Sequence, residues 1–298
     1  MDLPKKLKQI ILTTAILLLS VSLTAQEKTV PSSDKIGTAT AQLSDIQNMV
    51  STDLKPAEVI DKKFSILAIV GFSQKIAVDE RSDRESGTDL LIAPSYKISD
   101  TLTLGAKTIL SKSNAGPRET TLSNSTLSLS IKGAQLTPEL LSLHSVGMVA
   151  PTNKESQKSD RLQSSVSMSN GLRLQLAFAK IDYRLGLSKN IHEFTQNAEG
   201  SPNVEYRLAQ TLDVTVPVTE KISVTSNAVY RHGWTYRGFQ RFAFEWHNDL
   251  NLDVTANLAV NVGISNDGAA LKANGVDSNI SVYSPNSSVT RAGLSYTY

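Results

Sequence analysis

Asn203-Val-Glu-Tyr-Arg-Leu-Ala-Gln-Thr-Leu-Asp-Val-Thr-Val216 decides the fold. It places Val204, Tyr206, Leu208, Leu212, Val214 and Val216 on one side of an extended chain. Glu205, Arg207, Ala209, Thr211, Asp213 and Thr215 fall on the other side. A period of two is the signature of a strand, whose successive side chains point to opposite faces. The same texture recurs. Leu102, Leu104, Ala106, Thr108 and Leu110 oppose Thr103, Gly105 and Lys107. Phe242, Phe244 and Trp246 alternate with Arg241, Ala243, Glu245 and His247, and Leu258, Val260, Val262 and Ile264 alternate with Ala259, Asn261, Gly263 and Ser265.

From Phe64 onward such stretches run for about ten residues each, separated by turn chemistry. Twelve are expected, near 64–78, 88–98, 101–111, 121–132, 139–150, 162–179, 183–194, 203–216, 221–232, 239–253, 257–265 and 288–298. Short connections are expected at Ser99-Asp100, around Ile181-Asp182, at Thr219-Glu220 and at Thr255-Ala256. Longer polar ones are expected at 79–87, 112–120, 151–161, 195–202 and 266–287. Three of the turns repeat a unit: Ile98-Ser-Asp-Thr-Leu-Thr-Leu, Val218-Thr-Glu-Lys-Ile-Ser-Val and Val254-Thr-Ala-Asn-Leu-Ala-Val. Short turns on one side and long loops on the other are the habit of antiparallel transmembrane barrels. The expected fold class is therefore all-β: an antiparallel, up-and-down transmembrane β-barrel of about 12 strands over residues 61–298.

The beginning of the chain sets the export route. Lys5, Lys6 and Lys8 precede an apolar run from Ile10 to Leu23, and Leu23-Thr24-Ala25 supplies small residues before Gln26. That run is short for a membrane span and fits a cleaved secretory signal over 1–25. Residues 26–60 are polar, with Pro31 and Pro56, and read as a short, flexible periplasmic segment. Absence of cysteine excludes a Cys-linked lipid anchor, a disulfide and a thiolate metal site. Lys plus Arg (30) nearly balance Asp plus Glu (28), which gives no reason to invoke nucleic acid.

The chain ends Arg291-Ala-Gly-Leu-Ser-Tyr-Thr-Tyr298, a strand stopping on an aromatic residue. It resembles the C-terminal assembly signal of bacterial outer-membrane β-barrel proteins, with Arg291, Gly293, Tyr296 and Tyr298 in the signal positions. The resemblance extends to residues 64–298 by architecture, is porin-like, and identifies no subfamily. It implies a Gram-negative outer-membrane location, recognition by the barrel-assembly machinery during biogenesis, and lipid as the surrounding partner. Aromatic placement agrees: Tyr96, Tyr183, Tyr296 and Tyr298 fall at short-turn ends, and Phe194, Tyr206, Tyr230, Trp234, Tyr236, Phe239 and Phe242 near long-loop ends. Amphipathic rings gather at headgroup level in such barrels. A soluble β-sandwich would not require that clustering.

In lipid the apolar face must point outward, since a charge at mid-depth on the lipid face costs about 2–4 kcal/mol. The polar face then lines a lumen. The expected pore-lining residues are Lys97, Lys107, Arg173, Arg184, Glu205, Arg207, Asp213, Arg231, Arg241, Glu245 and Asp249, with Asp89, Asp182 and Arg291 on the same face. Arg173, Arg184, Arg207 and Arg241 would bias such a pore toward anions. Transport of ions or small polar solutes is the leading expectation. The alternatives are a closed structural or adhesive barrel presenting its loops, and an outer-membrane enzyme. The enzyme reading lacks the His-x-Ser pair found in lipases and deacylases of that membrane. His144 is followed by Ser145-Val146, His192 by Glu193-Phe194, His232 by Gly233-Trp234 and His247 by Asn248-Asp249. An omptin-like protease would draw on rim residues such as Asp79, Asp83 and His232. Glu245, His247 and Asp249 share one strand face, as a metal or proton site or as part of a salt-bridge network. No phosphate loop, zinc spacing or cofactor motif is found.

Overall fold

A computed structural model of the chain describes residues 63–76, 85–114, 118–272, 275–284 and 287–298. The signal segment 1–25 and the arm 26–60 lie outside the described residues. The strands, in chain order, are β1 (Phe64–Lys75), β2 (Ser86–Lys97), β3 (Leu102–Ser113), β4 (Thr120–Leu122), β5 (Ser125–Thr137) and β6 (Leu140–Ala150). After a five-residue helix, α1 (Lys154–Lys158), come β7 (Leu162–Gln175), β8 (Lys180–His192), β9 (Val204–Pro217) and β10 (Ile222–Thr235). β11 (Gln240–Asp253), β12 (Leu258–Ala269) and β13 (Val289–Thr297) complete the sheet. Every neighbouring pair is antiparallel and, apart from β3 with β5, consecutive in sequence until β1 pairs with β13, which closes the sheet into a barrel. β4 and β5 both pair with β3 and form one interrupted stave, so the barrel has twelve.

Alternation explains why the strands choose this surface. Val70, Phe72, Ile92, Leu104, Leu127, Val146, Met148, Val166, Met168, Leu187, Val224, Leu250, Val262 and Leu294 all project outward and are exposed. Cross-strand partners share a face: Leu90 opposes Leu110, Met148 opposes Val166, and Val262 opposes Leu250. Polar atoms on this outer face are tied off locally. Tyr183 donates to Gln210 Oε1 at 3.3 Å, and the Trp246 indole N–H donates to Ser226 Oγ at 3.2 Å. Such an exterior is matched to hydrocarbon rather than water, and a closed barrel leaves no sheet edge to be satisfied there.

The three similar turns adopt one geometry. Ile98, Val218 and Val254 each donate N–H to the carbonyl four residues on (2.9, 2.8 and 2.9 Å), and Ser99, Thr219 and Thr255 donate to the same acceptors. The hydroxyl explains the shared Ser or Thr: Thr219 Oγ1 accepts from Lys221 N and Ile222 N, and Thr255 Oγ1 accepts from Asn257 N and Leu258 N.

Three expectations require correction. Ile181 and Asp182 lie within β8, and the turn falls four residues earlier, closed by Leu176 N–H to Ala179 O at 2.8 Å. Leu-Ala-Phe-Ala carries none of the usual turn residues, which hid it. The single strand expected at 121–132 is interrupted at Ser123-Asn124 and then runs on to Thr137. Ser123 Oγ accepts the Ile109 N–H at 2.9 Å where a ladder carbonyl would otherwise serve. Tyr236 also departs from the girdle role: its hydroxyl donates to Asn190 O at 2.9 Å, pinning the end of β10 to β8.

Gly263 sits directly between Asp249 and Arg291 in the strand register. Arg291 reaches over it to Asp249 at 2.6 and 2.7 Å. A Cβ at Gly263 would overlap the Asp249 carboxylate and the Asn248 carbonyl, whereas a Cβ at Gly71 meets nothing within 4 Å. Gly263→Ala is therefore expected to destabilise the folded barrel by about 1–3 kcal/mol through overpacking, and Gly71→Ala to be close to neutral. Urea unfolding of the refolded protein in detergent, read by intrinsic fluorescence, compares the two.

Candidate functional site: the barrel lumen

The alternation that sends apolar residues outward sends the opposite parity inward on every stave. Followed across the ladder, the inward positions form rows, and two rows differ sharply in chemistry.

One row is small. Ser65 opposes Ser95, Ser95 opposes Gly105, Gly105 opposes Ser128, and Ser128 opposes Gly147. Gly147 opposes Ser167, and Ser167 opposes Ser188. Across seven consecutive staves nothing larger than a serine projects inward at this level. The row then meets Arg207, Gly233 and Arg241. It begins beside the short-turn end of β1 and finishes beside the long-loop end of β11, because strands tilt in a barrel and their registers stagger.

The second row is charged. Arg173 opposes Asp182, Asp182 opposes Asp213, Asp213 opposes Asn227, and Asn227 opposes His247. Arg173 grips Asp182 with two hydrogen bonds of 2.8 Å, and Arg184 approaches the same carboxylate at 3.7 Å. Asn227 donates to Asp213. Arg231 is paired with Glu245. Arg291 reaches both Asp249 and the His247 Nδ1, the latter at 2.8 Å. Fork-shaped guanidinium–carboxylate pairs of this kind hold geometry as well as charge.

The expected lumen residues can now be placed. Arg173, Arg184, Arg207, Asp213, Arg231, Arg241, Glu245 and Asp249 project inward from β7 to β11. Glu205 does so at the long-loop end, where it meets Lys189 at 3.7 Å. Lys107 lies on the inward parity of β3. Lys97 stands at the short-turn rim, 2.8 Å from Asp100, and its hydrogen bond holds that carboxyl below the usual range. The bias expected from four arginines changes with this placement. Arg173 is paired with Asp182 and Arg184 shares that single carboxylate at 3.7 Å, so the two arginines carry less free charge than a count along the strands suggests. Glu245, His247 and Asp249 do share one face, and each is engaged by Arg231 or Arg291 as a salt-bridge network. Among the described residues no group of three or more acids and histidines is arranged to hold a metal ion. Asp79 and Asp83 lie outside the described residues.

The small row was missed in the sequence. Ser165, Ser167 and Ser169 alternating with Val166 and Met168 was its signal. The inward face also holds an apolar patch: Ile69, Leu91 and Ile109 are directly opposed on β1, β2 and β3, and Leu91 and Ile109 are fully buried.

No protein-family model matches this chain, and no curated protein matches it in sequence. Solved structures do match. An outer membrane channel from Pseudomonas putida F1 superposes with a TM-score of 0.56 at 13% identity, covering 83% of this chain and 99% of that one. The NanC porin superposes with a TM-score of 0.51 at 8% identity, covering 78% of this chain and 98% of that one. At such identities the likeness is one of fold: this chain has the closed antiparallel barrel of outer-membrane channels.

Asp182 has no exposed surface and serves two arginines. Asp182→Asn removes the carboxylate that both share, and losing one partner of a buried ion pair costs about 3–5 kcal/mol. Asp182→Asn is expected to lower the urea midpoint well below that of Glu205→Gln, whose ion pair sits at the rim. Parallel unfolding curves in detergent measure the difference.

Proposed function

We propose that the chain is a passive, non-enzymatic channel of the bacterial outer membrane, conducting ions or small polar solutes. The observation that carries this reading is the Ser/Gly row, which leaves one level of the inner wall without bulk across seven staves. A barrel of eight staves is filled by its own side chains and one of sixteen encloses an aqueous channel. At twelve staves the outcome depends on side-chain size, and here the inward residues of β1 to β8 at that level are Ser or Gly. The apolar exterior supports lipid as the solvent of the outer wall. Lys107, Arg173, Arg184, Glu205, Arg207, Asp213, Arg231, Arg241, Glu245 and Asp249 are assigned to the pore lining, with Lys97 at its mouth.

Three of the four histidines support the non-enzymatic reading. His144 and His232 project outward, bonded to Asn170 and Gln240, and His247 projects inward and is held by Arg291, while His192 at the long-loop end of β8 packs edge-on against Tyr236. Gly293, Tyr296 and Tyr298 are assigned to the assembly signal. The two tyrosines are exposed on the outer wall, and Gly293 packs close to Asn261. A closed structural barrel is the second reading, favoured by the ion pairs that brace β7 to β13.

Single-channel recording in planar bilayers separates the two. Refolded protein that shifts on heating in a gel is expected to give discrete conductance steps in potassium chloride. Folded protein with no current above background would contradict the channel and leave the braced barrel.

A further inference from the structure

Arg207 differs from every other inward arginine. Arg173 is committed to Asp182, Arg231 to Glu245, and Arg291 to Asp249. Arg184 shares Asp182, and Arg241 donates to the Pro202 carbonyl at 3.1 Å. Arg207 makes no hydrogen bond or ion pair among the described residues, and its side chain is exposed to the lumen although it projects from within β9, in the long-loop half of the wall. Guanidinium groups inside a protein are otherwise satisfied, since leaving their donors unused away from bulk water is costly.

Its nearest partners in register are small. On one side of Arg207 stand Ser188 and then Ser167; on the other stands Gly233. In the adjacent inward row Gly186 opposes Ala209, Ala209 opposes Arg231, and Arg231 opposes Ala243. Gly233 separates Arg207 from Arg241, so the two guanidinium stems flank a position with no side chain. Two nearby acids are engaged, Glu245 with Arg231 and Glu205 with Lys189, and Asp267 stands beyond Glu245 on the next stave. The result is a positively charged recess with hydroxyls on one wall.

We propose that Arg207 is an oxyanion-binding station within the lumen, taking the carboxylate or phosphate group of a small solute, with Ser188 and Ser167 as hydroxyl partners and Arg241 completing the positive side. The proposal deepens the channel reading above and rests on it for the route by which the solute arrives. Planar guanidinium presents paired donors that match the two oxygens of such a group, and a serine hydroxyl beside it adds a further donor. Placed where the Ser/Gly row reaches the long-loop half of the barrel, the station would hold an anion at the head of a path lined by hydroxyls.

The test is calorimetric titration of the refolded full-length protein in detergent with inorganic phosphate, with acetate, and with glucose as a neutral control. Wild type is expected to bind phosphate or acetate saturably and glucose not at all; whichever anion binds identifies the group preferred. Arg207→Gln is expected to weaken binding by about tenfold or more, with Arg207→Lys retaining an intermediate affinity because charge survives without the fork. Arg118→Gln, which alters an exposed arginine in the connection between β3 and β4, is expected to change affinity by less than about twofold, as for sites that share no partner. Heat-shifted gel mobility verifies that each variant is folded. No saturable binding of either anion to wild type, or equal binding to folded Arg207→Gln, would overturn the station. Conductance steps measured on the same preparation keep the two claims apart. Steps without binding remove the station alone, whereas binding without steps removes the channel and leaves the station standing.

Discussion

Everything inside and outside this barrel depends on the pairing of β1 with β13. Residues 67 to 75 meet 297 to 289 without a register break, and Tyr298 N–H continues the ladder to Ile66 O at 3.0 Å. Hydrocarbon offers no partner for a backbone N–H or carbonyl, so an open edge at this seam would leave a row of unsatisfied groups. Closure also fixes the parity of every stave. A slip of one residue anywhere would turn an apolar face inward and a charged face toward lipid. The irregularities that do occur, at Trp234/Thr235, between Lys132 and Thr137, and at Leu162/Ser164, all lie at strand ends. Mid-wall parity therefore runs unbroken around the barrel.

Fixed parity gives the lumen two halves with different duties. From β7 to β13, guanidinium–carboxylate pairs span neighbouring staves and brace the wall. Glycine is part of that bracing: Gly263 lets Arg291 reach Asp249 two staves away, where any Cβ would intervene. From β1 to β8 the Ser/Gly row removes bulk at one level of the wall. The ion pairs consume most of the lumen charge, so charge counted along the strands overstates the field that a passing solute would meet. Arg207 lies where the two halves meet, which is why it is both exposed and uncommitted.

Much of the architecture was legible in the sequence because a transmembrane stave obeys a strict two-residue period over a dozen positions. Asn203 to Val216 carries that period almost without fault, and the repeated Ser or Thr turns around Ser99, Thr219 and Thr255 mark strand ends through their own hydrogen bonds. The turn at Leu176–Ala179 was illegible because its four residues are apolar and resemble strand. The interruption at Ser123 depends on a side chain replacing a backbone acceptor, which no local pattern announces. In the lumen, the residue types on the inner face could be read from parity, and their partners could not. Asp182 opposing both Arg173 and Asp213 is a fact of register between strands, and register is set by closure rather than by any one segment. The serines of β7 carry no charge and no motif that marks them in the sequence, yet a pore depends as much on what is small as on what is charged.

The central claim is that the small inward row faces water and its neighbours face lipid. Because the chain has no cysteine, single cysteines can be placed at 165 to 169 on β7 and their labelling by a charged, membrane-impermeant thiol reagent followed in vesicles. The account predicts alternation: cysteines replacing Ser167 and Ser169 react, and those replacing Val166 and Met168 stay protected by lipid. Protection at Ser167 and Ser169, or equal labelling at all positions, would contradict a water-filled lumen lined by that row.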